Sequence, residues 1–151
     1  MKLWIFIAFL VVMALALSVR PKPDAVTYYV QLVRGCNGDT PPEPNSRRVG
    51  PRLIEKFRGP LKWEEYWEID RQQIALVPGH AARVRLGNKC QVGIDLTDKQ
   101  HRKVTASQNG KVIAKMCVPR DGNMTVIGGD RDGQGSWFIV VRRDRPSLAT
   151  N

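Results

Sequence analysis

Apolar and polar residues alternate with period two along most of the chain, and two segments break that pattern. The first is the N-terminus, where Leu3 to Val19 (LWIFIAFLVVMALALSV) is continuously apolar and uncharged. In a helix, 17 such residues reach roughly 25 Å, short for a membrane span and long for a signal-peptide core. An all-round apolar helix has little to pack against at the end of a chain. Residues 1–19 are therefore expected to form a hydrophobic helix that targets the chain to a membrane. Ala14, Ala16 and Ser18 offer cleavage sites of the A-x-A kind, whereas Arg20, Pro21 and Lys22 just beyond them favour retention. A cleaved signal and a retained anchor both fit, and the following domain is expected outside the cytoplasm. Residues 20–25 contain RPKPD, a stiff spacer because its prolines fix φ in extended backbone.

The second break is residues 36–60. Val26–Val33 (VTYYVQLV) before it is a strong first strand, rich in β-branched and aromatic residues. The segment itself holds Pro41, Pro42, Pro44, Pro51 and Pro60, each of which removes a ladder donor. The first three predict an exposed loop. Pro51 suits the first turn of a short helix, PRLIEKFRG, halted by Gly59 and Pro60, with Leu53, Ile54 and Phe57 as its apolar face.

From Leu61 onward the alternation predicts strands at Leu61–Glu64, Tyr66–Arg71, Gln73–Val77, Ala82–Leu86 and Lys89–Leu96. In the last of these, Cys90, Val92, Ile94 and Leu96 share one face. Thr97–Arg102 reads as a polar linker. Asn109-Gly110 between Lys103–Ala106 and Lys111–Cys117 is a strong hairpin signal, because both turn residues tolerate positive φ. Asn123–Ile127 and Ser136–Arg143 form a last pair, and residues 146–151 a flexible tail. The expected fold is all-β: an antiparallel β-sandwich of about seven or eight short strands over residues 26–145, with an immunoglobulin-like sandwich or a small barrel as alternatives.

Composition narrows the function more than the fold. Hydrophobic residues at 42% and charged residues at 25% exclude a wholly disordered chain. The balance is basic, 24 Lys and Arg against 14 Asp and Glu. Removing residues 1–19 takes away only Lys2, so the domain itself is basic and attracts anions. An odd cysteine, among Cys36, Cys90 and Cys117, leaves at least one thiol unpaired or joined to another molecule. A Cys90–Cys117 bridge stays open beside the plainer reading of buried free thiols.

The familiar chemistries fit poorly. Asp130, Asp132 and Gly133 echo the opening of a calcium loop, but a third ligand and a closing acid are missing, and a turn needs the same residues. His80, Cys90, His101 and Cys117 lack metal-ligand spacing. No nucleophile-elbow or phosphate-loop motif occurs. Glu64 and Glu65 point to opposite faces of a strand, and Glu68 falls on an apparent edge or solvent face, so no carboxylate pair forms. Trp63, Trp67 and Trp137 read as core and seam residues. No catalytic residue, metal ligand or cofactor is assigned.

The expected function is binding, by a non-catalytic membrane-anchored or exported domain within a cell-envelope protein assembly. The expected contacts are the membrane through residues 3–19, a protein partner, and an anionic surface. Arg47, Arg48, Arg52, Lys56 and Arg58 in the Pro-rich insert are the candidate partner-binding set. Nucleic acid is not expected, since no Arg-rich helix or RNP-like aromatic pair is present. The alternatives are a polyanion- or small-ligand-binding module, and a secreted enzyme with its site at one end of the sandwich.

Overall fold

A computed structural model describes residues 23–131 and 133–147, with the backbone alone for 129–131. The predicted hydrophobic helix over 1–19 and the beginning of the spacer lie outside the described residues. In chain order the elements are β1 (Val26–Cys36), β2 (Arg47–Arg48), α1 (Pro51–Arg58), β3 (Glu65–Leu76) and β4 (Ala81–Leu86). They continue with β5 (Cys90–Asp95), β6 (His101–Gln108), β7 (Lys111–Pro119), β8 (Met124–Arg131) and β9 (Gly135–Arg142). One sheet has the order β2-β3-β1-β9-β8 and the other β4-β5-β6-β7, with antiparallel pairing throughout. The sheets stay separate and end in free edges, which makes the domain a β-sandwich.

Alternation decides what fills the space between the sheets. Tyr28 and Val30 from β1, Ile139 and Val141 from β9, and Val104 and Ala106 from β6 form one buried cluster with the in-step set Cys90, Val92, Ile94 and Leu96. The opposite face of the five-stranded sheet is covered by α1. Leu53 and Phe57 pack there against Val33, Tyr66, Phe138 and Val140. The Phe57 ring lies 4.9 Å from that of Tyr66 and 5.6 Å from that of Phe138. Burial of a side chain of this size contributes about 1.5–3 kcal/mol. Pro51 starts α1 and Lys56 and Arg58 sit in its last turn, where cations favour the helix dipole.

The Asn109-Gly110 turn forms as expected, with φ of 50° and 78°. Gly35 is required for close approach: a Cβ there would sit 2.5 Å from the indole of Trp63.

Several expectations change. Residues 61–64 are not a strand; the chain stays irregular there because Trp63 folds over Gly35 instead of pairing. The segments 66–71 and 73–77 are one long strand, β3, carried through a bulge. Strands number nine among the described residues, the extra one being the two-residue β2. Pro146 is buried and Ser147 packs against Gly50, so the beginning of the expected tail is docked. All three cysteines are free, and Cys117 is exposed because it stands opposite Lys103 on the outer face of its sheet, away from buried Cys90.

Candidate functional site

The two sheets are offset at one end. The β4–β5 and β6–β7 hairpins turn back at Gly87–Lys89 and Asn109-Gly110, while β1, β3 and β9 run on to Cys36, Glu65 and Gly135. A cleft of about 520 Å³ opens where the smaller sheet stops. Leu32, Ile69, Ile127, Trp137 and Ile139 form its floor, with Leu86 and Cys90 beneath the hairpin. Glu43, Asp70, Asn88, Lys89, Gln108 and Ile113 stand around its mouth.

Ladder irregularities converge on this cleft. Between β1 and β3 the register jumps from Leu32↔Asp70 to Val33↔Glu68, which makes Ile69 the extra residue. Between β6 and β7 it jumps from Ala106↔Ala114 to Ser107↔Val112, which makes Ile113 the extra residue. Between β8 and β9 it is interrupted between Gly128↔Phe138 and Arg131↔Ser136, across from Trp137. A bulge redirects a side chain that regular pleating would place elsewhere. Here the extra residues Ile69 and Ile113 come to line one cavity, together with Trp137, which regular pleating puts on the same face as Ile139. Asp70 anchors the mouth: its carboxylate accepts the Gly87 amide at 2.7 Å and the Arg71 amide at 2.7 Å.

Beside the cleft floor, four residues stand directly opposite one another across four strands: Arg48, Trp67, Arg34 and Trp137. Directly opposed residues share a face, so cations and indoles alternate in one row. Arg48 lies 5.0 Å from the Trp67 ring centre and Arg34 4.8 Å from that of Trp137. The Arg48–Trp67 contact ties the Pro-rich insert to the sheet. Trp67 is buried, as its sequence context indicates, whereas Trp137 is half-buried and lines the cleft.

The candidate basic set divides in two. Arg47 donates to Glu68 Oε1 at 3.0 Å, and Arg48 pairs with Glu65 at 3.0 Å and with Asp39. Both are engaged within the domain. Arg52, Lys56 and Arg58 are exposed on α1. Of the basic residues that close β9, Arg142 is buried and paired with Asp144, whereas Arg143 and Arg145 are exposed.

Two buried charges depart from what their sequence neighbourhoods suggest. Glu68 is 1% exposed, the opposite of a solvent face. It accepts from Gln31 at 2.5 Å, from Arg47, and from Arg71 at 2.7 Å. The β3 bulge beside it breaks the simple alternation, so no local signal marks it. Arg102 is fully buried: its guanidinium donates to the Gly122 carbonyl at 3.0 Å and to the Thr125 hydroxyl at 2.8 Å, and lies 5.2 Å from the Tyr28 ring centre. A signal exists here, since Arg102, Val104 and Ala106 are in step at period two.

Among the described residues, the titratable groups show no acid–base or nucleophilic constellation. Burial pushes the Cys36 and Cys90 thiols up, which disfavours the thiolate. Burial likewise raises the Tyr66 phenol. The carboxyls of Asp95, Asp98 and Asp144 are held below the ordinary range, chiefly by the Thr97 hydroxyl, the Gln100 amide and Arg142, respectively. His80 is exposed at a turn, and His101 Nδ1 lies 3.4 Å from Asp98 at the half-exposed start of β6, not in a closed pocket. Among the described residues no three His, Cys, Asp or Glu side chains come together as metal ligands, and no helix is long and apolar enough to cross a membrane. The side chains of Asp130 and Asp132, in the loop with a partial calcium pattern, lie outside the described residues. Comparison of the chain with family models, with curated proteins and with solved structures finds no match.

Proposed function

We propose that the chain is a non-catalytic binding domain of a cell-envelope assembly, brought to its membrane by residues 3–19, and that its protein partner adds an extended segment to the free edge of β7. The observation that carries this reading is the character of β7. It is a nine-residue strand at the end of its sheet, and the exposed large apolar side chains among the described residues, Val112, Ile113 and Met116, are all on it. Unpaired backbone groups on a long edge supply the hydrogen bonds for strand addition, and neighbouring side chains supply the specificity. Lys111 and Lys115 discourage pairing with a like strand and favour an acidic segment. Arg52, Lys56 and Arg58 add long-range attraction from α1, and Arg47 and Arg48 add field but little contact.

The test is capture of envelope proteins by the full chain solubilised from its own membrane fraction. Val112→Lys with Met116→Lys is expected to remove the captured partner while the domain stays folded. Glu at Arg52, Lys56 and Arg58 together is expected to weaken capture and flatten its dependence on salt. Capture unaffected by both sets, or a full-length chain found free in the cytosol, would overturn the proposal.

A further inference from the structure

We propose that the cleft between the sheet ends is a binding site for one uncharged, flexible apolar chain, of the alkyl or acyl kind. Apart from Ile113, which belongs to both, its support is separate from that for the β7 edge. The cavity, at about 520 Å³, lies in the range of sites for small organic molecules. Its floor is aliphatic carbon and one indole, from Leu32, Ile69, Ile127, Trp137 and Ile139. Burial of apolar surface is therefore the driving force such a floor offers.

Two features argue that the cavity is built and is not a packing fault. Irregularities in three ladders meet at it: the extra residues of two of them, Ile69 and Ile113, become lining, and Trp137, which lines it in step with Ile139, stands opposite the third. Each bulge gives up local pairing, and their convergence on one volume keeps the sheets from closing over it. The mouth also gives a charged head no particular attraction. Glu43 and Asp70 stand there with Lys89, and the Asp70 carboxylate already accepts two backbone amides. The rim offers no concentrated field of either sign, so neither an anionic nor a cationic head gains much on entry. A chain with an uncharged polar end leaves that end at the mouth, beside Asn88 and Gln108, and puts its carbon on the floor.

The test uses the full chain in its own membrane fraction and a ten-carbon alcohol carrying a photoreactive diazirine on the chain. Adducts mapped by mass spectrometry are expected at the cleft residues, saturable and displaced by unlabelled decanol. Ile113→Trp places a larger ring across the mouth from an exposed position, and Leu32→Phe fills the floor from β1. Each is expected to lower cleft labelling about tenfold, the change that follows from losing roughly 1.4 kcal/mol of binding. Thermal melting of each variant identifies the one that has kept its fold. Adducts confined to residues 3–19 or scattered over the surface would overturn the proposal, as would labelling that a folded variant leaves unchanged. Tighter labelling by the matching carboxylate or ammonium probe would overturn the assignment of an uncharged chain. Partner capture through Val112 and Met116 bears on none of these outcomes, so this proposal and the strand-edge proposal fail separately.

Discussion

Strand β9 (GSWFIVVR) runs through the interior of the five-stranded sheet, with β1 on one side and β8 on the other, and Phe138 to Arg142 are all buried. Strand β7 (KVIAKMCVP) has a comparable share of apolar residues and is the last strand of the smaller sheet, with Val112, Ile113 and Met116 exposed. The difference comes from the neighbours. The larger sheet is covered on one face by the smaller sheet and on the other by α1, so β9 is enclosed above, below and on both flanks. β7 has a partner on one flank only. Apolar content thus marks a strand, but burial depends on what is packed around it.

The sharpest way to test that comparison is to remove one large side chain from each strand. Phe138→Ala deletes a ring held between Phe57 and Tyr66 and is expected to destabilise the fold by about 3–5 kcal/mol. Met116→Ala on β7 is expected to change stability by no more than about 0.5 kcal/mol. Urea unfolding of the two variants measures both. Equal losses would mean that β7 is covered in solution.

A smaller effect is expected from the buried carboxylate on the α1 side of the larger sheet. Glu68→Gln keeps the shape but removes the charge that Arg47 and Arg71 share, at an expected loss of about 1.5–3 kcal/mol. Glu55→Gln, on the exposed side of α1, is the matched control and is expected to stay within about 0.5 kcal/mol. The same unfolding measurement separates them.

The mildest probe leaves the fold intact. Cys36 and Cys90 are buried and their thiols are pushed up, whereas Cys117 is exposed on β7. A water-soluble thiol reagent is expected to label Cys117 alone in the native chain and all three cysteines in denaturant, as counted by mass spectrometry. Rapid native labelling of Cys90 would show that the sandwich opens at the cleft end.

The regular segments are legible in the amino-acid pattern alone. The in-step set Cys90, Val92, Ile94 and Leu96 is buried as period two requires, Asn109-Gly110 turns a hairpin, and Pro51 to Arg58 forms the one short helix among the described residues. Legibility ends where register is broken or pairing is long-range. The bulge at Ile69 puts Glu68 in the interior against its local pattern. The row Arg48, Trp67, Arg34 and Trp137 joins positions far apart in sequence, and no spacing rule relates them. The basic residues of the insert look like one cluster along the chain, yet β2 pairs with β3 and takes Arg47 and Arg48 into ion pairs, leaving Arg52, Lys56 and Arg58 exposed.

By itself the sequence determined that this chain is a basic, antiparallel β protein with a Pro-rich insert and one short helix. Those properties follow from local rules: side-chain period, the conformations open to Gly, Asn and Pro, and net charge. Only the tertiary structure decided which strand became the open edge, which charges were buried, and that three bulges meet around one cleft. Strand order and register arise from pairing between distant segments, and a one-residue shift in that pairing exchanges the buried and exposed faces of a strand.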